Sequence, residues 1–354
     1  MDRPRLFPSS RPSGLPEPGS ARMTRRGVLG LGAAAASGVL LPGCARGRAD
    51  EPAPAGPAVF ATGNAGGVYN TFGTAVSALV SEVTGQELKP IVTDGSVDNL
   101  FQVAGNKADL GLCTSDSALA AYEGTGAFAT GKRRFTALAR VYDNYVHVVV
   151  PMASKATELI HLNPNPDDPN ARKMVVGVGP KNSGTEIVAN KILAAAGVDV
   201  IKRNMTLGEM VAAIQPRGQA TKGALDAFVW SGGVPTLPIA NLQKTIGFRL
   251  LDIGKQAQAI AVQEFGGFVV SSVPPSQYGL AKSVPTLAVP NYLVARPNLP
   301  DSWAWWTVNT LFRRQNDLIP DHPEAGALDP RSAIATMPVP LHPAAERWYR
   351  QNHI

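Results

Sequence analysis

The sequence predicts an α/β fold with two domains, on three observations. The chain has 354 residues, which exceeds one ordinary core and suits about two domains of about 150 residues each. Short apolar runs alternate with amphipathic stretches from residue 58 onward, and 35 Gly and 30 Pro supply many short loops. Strands that alternate with helices in this way indicate parallel sheets with crossover helices.

The individual elements follow in chain order. Apolar runs that stop at a turn or a helix start indicate strands at 58–62, 88–93, 110–113, 145–151, 174–178, 227–230 and 248–253. Amphipathic stretches indicate helices at 69–83, from a Ser96 cap to 104, from Ser115 onward, at 301–314 and at 343–351.

The N-terminal segment has the composition of an export signal. Arg25 and Arg26 precede an apolar stretch of about fifteen residues, shorter than the roughly twenty that span a bilayer. The arginine pair resembles a twin-arginine signal, and 40–44 resembles the lipobox of bacterial lipoproteins, in which Cys44 would carry the lipid. The alternative is a plain secreted protein with an incidental cysteine. Residues 1–22 are predicted to be a disordered extension or a misassigned start, 23–44 the signal, and 45–57 a linker.

Charge and cysteine content exclude several classes of protein. The formal charge is +6, of which six arginines and two carboxylates in residues 1–43 account for +4, which leaves +2 for the body. That balance gives no support for nucleic-acid binding. With Cys44 assigned to the anchor, Cys113 has no disulfide partner and is predicted to be a buried, inert thiol in an apolar strand.

The sequence lacks the motifs of common catalytic and metal sites. There is no G-x-S-x-G, H-E-x-x-H or C-x-x-C, and the five histidines are scattered. His147 is therefore predicted to be a satisfied histidine within a strand, and His342 to have a structural role in a turn. We expect no catalytic residues, no metal and no cofactor.

The stretch 176–193 raises the question of a phosphate-binding loop. An apolar strand ends in a loop of small residues before a helix, but Thr185 and Glu186 stand where Lys and Ser/Thr would serve a nucleotide. A helix start with free backbone N–H groups suits a single anionic group such as a carboxylate. Simple capping by Ser183 or Thr185, with Glu186 in the first turn, explains the same residues equally well.

Further loops of this kind favour a binding site. Strand-to-helix loops at 62–69, 95–99 and 114–116 have the same character, and 230–235 ends a strand with an aromatic residue. Loops that follow successive strands meet at the carboxyl edge of an open sheet, where ligands of α/β proteins bind. The candidate ligand-binding residues are Gly66, Gly67, Tyr69, Ser96, Asn99, Ser115, Asp116, Asn182, Ser183, Gly184, Thr185, Trp230 and Gly233. Asp116 and Glu186 are also the best carboxylates for an enzyme, but helix capping explains both.

Six segments in order resemble the substrate-binding subunits of the TAXI family of TRAP transporters. They are TGNAGGVYNTFG (62–73), DGSVDNLFQVAGNKADLGLCTSDSALAAYEGTG (94–126), VGPKNSGTEIVANKILAAAGV (178–198), GALDAFVWSGGVP (223–235), VPTLAVPNYLVAR (284–296) and PVPLHPAAERWYRQ (338–351). The resemblance covers nearly the whole body. It implies a two-lobed periplasmic-binding-protein fold of type II, with two open α/β sheets joined by a two-strand hinge. Lobe I would comprise 58–144 and 254–354, and lobe II 145–253.

The resemblance also implies a function. Family ligands are acidic amino acids such as glutamate and dicarboxylates such as 2-oxoglutarate, delivered to a TRAP-type permease by a receptor anchored outside the cytoplasmic membrane. Val68 and Asn182 depart from the common Thr and Gly of the family, which affects the ligand more than the fold. Arg140 is a possible charge partner for the ligand, with a surface or interlobe salt bridge as the alternative.

Two other classes of function stay open on the sequence alone. A receptor of the same shape could serve an ABC importer or a membrane sensor. An extracellular enzyme or an anchored structural protein would need a catalytic group or a surface that the sequence does not reveal.

Overall fold

Ten strands form one sheet that runs through the whole folded body. The computed structural model describes residues 51–168, 171–214, 224–264 and 267–354. The strands are β1 (Ala58–Ala61), β2 (Leu88–Ile91), β3 (Leu110–Thr114), β4 (Thr136–Pro151), β5 (Val175–Gly177), β6 (Ile201–Arg203), β7 (Ala227–Gly232), β8 (Phe248–Leu250), β9 (Val269–Val273) and β10 (Val284–Ala295). The helices are α1 (Val68–Thr84), α2 (Ser96–Ala104), α3 (Ser115–Glu123), α4 (Gly184–Ala195), α5 (Leu207–Ala213), α6 (Leu237–Leu242), α7 (Gly254–Gln263), α8 (Pro275–Tyr278), α9 (Asp301–Arg313), α10 (Gln315–Leu318), α11 (Pro330–Ala333) and α12 (Pro343–Gln351). Three short 3-10 segments lie at Gly126–Phe128, Leu159–Leu162 and Pro323–Ala327.

The sheet is mixed: the expected parallel pairing is found on both sides, and an antiparallel pair of long strands lies at its centre. The strand order is β2-β1-β3-β10-β4-β7-β5-β6, with β8 on β4 and β9 on β10. β1 pairs in parallel with β2 and β3, and β5 pairs in parallel with β6 and β7. Between these two parallel groups, β10 and β4 pair antiparallel with each other. A chain that leaves one group along β4 and returns along β10 must run in opposite directions on the two strands.

Strand β4 is much longer than the strand predicted at 145–151. It has 16 residues and begins at Thr136. Its first half carries the half-exposed Arg140 and Asp143 among buried apolar residues, and this charge interrupts the apolar run that indicates a strand. The other predicted strands and helices agree with the structure to within a few residues.

The buried apolar side chains divide into groups on either side of the β4–β10 pair. One side is built around residues such as Phe60, Leu110 and Trp303, and we call it the first lobe. The other is built around residues such as Val176 and Phe228, and we call it the second lobe.

The packing of α7 and β10 indicates where the chain returns to the first lobe. Ala257 and Ile260 of α7 and Val289 of β10 pack in the same cluster as Val148 and Val176. They therefore belong to the core of the second lobe. We place the return crossing within β10 as a proposal, in place of the predicted boundary at 253/254.

The described part of the predicted linker, 51–57, lies against the folded body. The indole N–H of Trp306 donates to the carbonyl oxygen of Glu51 at 2.9 Å, and the Arg347 guanidinium pairs with the Glu51 carboxylate at 2.8 Å. Pro54 is buried. The predicted export signal and the lipid on Cys44 lie outside the described residues. Within the described residues, no helix is long and apolar enough to cross a membrane.

Three residues with predicted structural roles can be checked directly. Cys113 is fully buried, and burial, with the nearby Asp116 carboxylate, raises the pKa of its thiol. His342 accepts the Ala344 N–H at 3.2 Å and lies 3.0 Å from a backbone carbonyl, which confirms its structural role. His147 is fully buried, and its Nε2 lies 2.9 Å from the hydroxyl of Tyr278.

Candidate functional site: a closed cleft between the lobes

A cleft lies where the ends of β1, β3 and β7 meet the first turns of α1, α2 and α4. Its lining consists of Gly63, Asn64, Gly67, Val68, Tyr69, Asp94, Gly95, Ser96, Thr114, Asn144, Ser183, Gly184, Thr185, Trp230, Ser231 and Gly232. The free volume is about 40 Å³. At ~10–15 Å³ for each water molecule, this is room for about three. The two lobes are therefore closed on each other, and the space favours a small occupant.

Backbone contacts of Gly184 show how tightly the lobes meet. A Cβ atom at this position would lie 3.0 Å from Ser96 Oγ and 3.0 Å from Thr114 Cγ2, and both of those residues belong to the first lobe. Gly95 of the first lobe similarly lies against Ser183, with a 3.6 Å separation between its Cβ position and Ser183 Cβ. The start of α4 thus closes directly onto the start of α2 and the end of β3.

Three helices of the first lobe begin near the cleft without a capping side chain. The N-cap residues of α1, α2 and α3 are Gly67, Gly95 and Thr114, and none of them makes a side-chain cap hydrogen bond. The first N–H groups of a helix have no partner within it, and the helix dipole places partial positive charge there. The prediction that Ser96 caps α2 is wrong, because Gly95, with φ of 112°, occupies that position. Ser96 Oγ instead accepts the Thr114 N–H at 3.1 Å.

The sequence left two interpretations open for the start of α4 in the second lobe: an anion-binding helix start, or simple capping. The structure shows features of both. Ser183 Oγ accepts the Glu186 N–H at 3.1 Å, and the Glu186 carboxylate accepts the Asn182 N–H at 2.6 Å. Ser183 and Glu186 are therefore capping residues, whereas Thr185 does not cap the helix. Ser183, Gly184 and Thr185 nevertheless line the cleft. Asn182, held at φ of 62°, is exposed and lies outside the lining.

Several polar side chains in the cleft are buried. The Tyr69 hydroxyl donates to the side-chain oxygen of Asn291, and burial raises its pKa well above the usual value, so the phenol stays protonated. Asn144 Oδ1 and Ser231 Oγ are buried without a hydrogen-bond partner among the described residues. Because buried polar atoms are normally paired, these two are open positions for the polar groups of a ligand or for water. Trp230 supplies the predicted aromatic wall.

Two predicted site residues hold the structure together away from the cleft. Asn99 is fully buried, and its amide donates to the carbonyl oxygens of Thr62 at 2.7 Å and Leu112 at 2.6 Å. Ser115 donates to the carbonyl oxygen of Gly267 at 2.7 Å, across the contact between the lobes. Both side chains are used by the protein itself.

Three further predicted residues also lie outside the lining. Gly66 forms the turn before α1, with φ of 76°. The Cβ position of Gly233 lies 3.6 Å from Glu324 Cβ and 3.7 Å from Val68 Cγ1, beside the cleft. Asp116 is buried in the lobe contact behind the cleft.

The cleft contains residues that the sequence did not single out, notably Asp94, Thr114, Asn144 and Ser231. Thr114 and Ser231 belong to loops that the sequence had marked, so including every polar residue of those loops would have found them. Asn144 lies in the middle of β4, and no local pattern distinguishes it from a strand residue that faces solvent.

The electrostatic character of the cleft is unusual for a site expected to bind an anion. The lining residues within the described chain include no Lys, Arg or His, and Asp94 is the only charged one. Arg140 lies elsewhere and pairs with Asp143 at 2.9 Å, which agrees with the salt-bridge alternative. The described residues also contain no group of His, Cys, Asp and Glu suited to a metal. An anion here would be bound by backbone N–H groups and hydroxyls.

Solved structures with a similar fold include ligand-binding proteins, one of them described as periplasmic. MatC of Rhodopseudomonas palustris with bound malate has a TM-score of 0.52 at 14% identity, over 84% of this chain and 99% of that one. The periplasmic binding protein BugD has a TM-score of 0.50 at 11% identity, over 85% and 97%. The alkanesulfonate-binding protein SsuA of Xanthomonas axonopodis pv. citri, bound to MOPS, is more distant, with a TM-score of 0.45 at 14% identity over 85% of both chains.

The similarities to MatC and BugD establish the predicted two-lobed α/β architecture of periplasmic binding proteins. The model of the NMT1-like family matches residues 60–352, which is most of the chain and includes every residue of the cleft. The chain therefore belongs to the NMT1-like family.

Proposed function

We propose that the protein is an exported solute-binding receptor that captures a small carboxylate in the cleft and delivers it to a membrane permease. One observation carries the proposal: the starts of α1, α2 and α4 converge on a small closed cleft whose described lining residues include no basic side chain. Free N–H groups at helix starts bind a carboxylate without a paired cation, and they suit it better than a triphosphate, whose charge would need Lys or Mg²⁺.

The class of ligand follows from size and from polar partners. A volume of about 40 Å³ in the closed form excludes a sugar chain or a peptide. It is also smaller than glutamate, so the lobes would stand slightly further apart over a ligand of that size. Asn144 and Ser231 offer polar partners beyond those that bind the carboxylate, and Trp230 offers an apolar wall. An acidic amino acid such as glutamate or a dicarboxylate like 2-oxoglutarate has this combination of groups.

The export route and the permease rest on sequence resemblance. Residues 23–44 resemble a twin-arginine lipoprotein signal, which would place the receptor on the outer face of the cytoplasmic membrane, held by lipid on Cys44. The six segments that resemble the TAXI family favour a TRAP-type permease as the recipient. A TRAP-type permease gene beside this one would support that assignment over an ABC importer or a membrane sensor.

The ligand class is tested by a thermal-shift screen on the chain from residue 45 onward. The panel contains L-glutamate, L-aspartate, 2-oxoglutarate, succinate and L-malate, the last because MatC holds it. A ligand at 100 times its Kd stabilises the folded state by about 2.7 kcal/mol, which raises the Tm by several degrees. Glucose and phosphate are the comparison compounds. If one of these shifts the Tm and no carboxylate does, the ligand class is wrong.

The site is tested by Tyr69→Phe, which removes one buried hydroxyl and little volume. In this structure the hydroxyl donates to Asn291, so a ligand carboxylate would have to take over that hydrogen. Loss of this donor should weaken binding by about 1 kcal/mol, or roughly fivefold in Kd. Tyr122→Phe is the matched control, because Tyr122 is 39% exposed and lies outside the cleft. Equal affinity of both variants and the wild type, measured by isothermal titration calorimetry, would contradict a ligand beside Tyr69.

A further inference from the structure

Asp116 is a buried carboxylate beside the cleft that the proposed binding function does not use. It is the second residue of α3 and is 6% exposed. Neither of its carboxylate oxygens has a hydrogen-bond partner in the part of the chain that the structure describes. A charged group in this condition is costly, because burial removes its hydration. The start of α3 and the nearby Thr114 and Ser117 groups offset part of that cost, but burial is the largest effect and raises the pKa of the carboxyl.

The second lobe covers this carboxylate. The neighbouring Ser115 hydroxyl donates to the carbonyl oxygen of Gly267 at 2.7 Å. The Cβ position of Gly267 itself lies 3.7 Å from Asp116 Cβ. Ser115 and Asp116 belong to the first lobe and Gly267 to the second, so the burial of Asp116 depends on closure. When the lobes separate, water reaches the carboxylate.

The titratable and charged groups around Asp116 do not neutralise it. Tyr69 on α1 and Cys113 on β3 face it from the first lobe, and both stay protonated because burial raises their pKa values. Lys191 on α4 and Glu264 at the end of α7 face it from the second lobe. Lys191 forms an ion pair with Glu264, so the positive charge nearest to Asp116 is already matched.

A bound anion makes the charge balance less favourable still. The cleft has no Lys, Arg or His in its described lining and carries Asp94. Closure over a carboxylate thus brings a second negative charge close to an unpaired one in a region of low dielectric. A proton on Asp116 removes one of the two charges, and it turns the side chain into a neutral hydrogen-bond donor.

We propose that closure of the cleft over its ligand is coupled to the uptake of one proton by Asp116, so that the receptor captures the anion together with a proton from solvent. This coupling rests on the proposed function. Burial supports it by raising the pKa of Asp116 in the closed form; the Thr114 and Ser117 groups and the Lys191 ammonium oppose the rise, and the Glu264 carboxylate adds to it.

The direction in which Kd changes with pH follows from the linkage between ligand binding and proton binding at Asp116. In the open form Asp116 is hydrated and has a pKa near the ordinary value of about 3.9. Between that value and the raised value of the closed form, binding consumes a proton, and Kd falls as pH falls, by at most tenfold per pH unit.

The link is tested by calorimetry with the carboxylate that gives the largest shift in the panel, between pH 5 and 8, after correction for the protonation of the free ligand. In two buffers with different ionisation enthalpies, the wild type should take up as much as one proton per bound ligand. Asp116→Asn mimics the protonated acid, so it should bind without proton uptake and with a Kd that does not change with pH. Asp321→Asn is the matched control, since it removes an exposed carboxylate outside the cleft and should keep the proton uptake of the wild type. A wild type that binds without proton uptake overturns the coupling while it leaves the proposed function intact.

A measurement without ligand separates the two proposals. Urea unfolding of the wild type and of Asp116→Asn is compared between pH 5 and 8. Because the closed form raises the pKa of Asp116, the closed fraction of the ligand-free protein should make the wild type lose stability relative to the variant as pH rises through that range. If no carboxylate binds but this difference is present, the proton site stands and the ligand assignment fails. Parallel stability curves for the two proteins mean that Asp116 is hydrated without ligand, and the two-buffer calorimetry then decides the coupling.

Discussion

Replacement of Gly184 by Ala should weaken ligand binding without destabilising either lobe. In the closed protein the added methyl group would lie 3.0 Å from Ser96 Oγ and 3.0 Å from both Thr114 Cγ2 and Thr114 Oγ1. These atoms belong to the opposite lobe, so the methyl group meets them only when the cleft is closed. In the open form it would point into solvent at the first position of α4, where Ala is a favourable helix residue.

The expected magnitude follows from the contact distances. The neighbouring atoms must move by a few tenths of an ångström, and overpacking of this kind typically costs about 1–3 kcal/mol. The cost falls on the closed state alone and is therefore subtracted from the binding free energy. It corresponds to an increase in Kd of about 5- to 150-fold.

The assay is isothermal titration calorimetry with a carboxylate from the screen, together with urea unfolding in the absence of ligand. Gly208→Ala is the matched control, because Gly208 lies in the first turn of α5 in the second lobe and no atom lies within 4 Å of its Cβ position. This control should bind as the wild type does. If Gly184→Ala also binds with wild-type affinity, closure of α4 onto Ser96 and Thr114 is not part of binding.

Three further predictions concern stability and attachment. Ser183→Ala removes the acceptor for the Glu186 N–H at 3.1 Å and should lower the free energy of unfolding by about 1 kcal/mol, measured in urea; an unchanged midpoint would contradict the cap. Burial lowers the pKa of His147 to about 4. Its contribution to stability is therefore complete above the unfolded value of about 6.5 and is lost as pH falls toward 4, by up to about 3 kcal/mol. His147→Gln keeps a partner for Tyr278 and should be less sensitive to acid in unfolding followed by circular dichroism; equal acid sensitivity refutes the assignment. Cys44→Ser should release the protein from membranes into the soluble fraction, and continued membrane association would exclude a lipid on that residue.

The sequence predicted the parts of the site that depend on local chemistry. A run of small residues between a strand and a helix can be recognised from the local sequence alone. Gly67, Tyr69, Ser96 and the 183–185 segment were predicted in this way. They all line the cleft. Trp230 was found because it ends an apolar strand beside two glycines.

Two of the predicted site residues lie outside the cleft lining because their side chains have distant partners. Asn99 bonds to the carbonyl oxygens of Thr62 and Leu112, and Ser115 bonds to Gly267, 152 positions further along the chain. No local pattern distinguishes such a bond from a bond to a ligand. Asn144 lines the cleft but was not predicted from the sequence. Its place there depends on the pairing of β4 with β10 at the centre of the sheet, which no local pattern reveals.

The segment around Glu51 is fixed to the first lobe. Trp306 and Arg347, on α9 and α12, hold it against the helices that pack on that lobe. The chain passes between the lobes along β4 and β10. If the proposed lipid on Cys44 holds the first lobe at the membrane, closure would change the position of the second lobe, and a permease would detect that change.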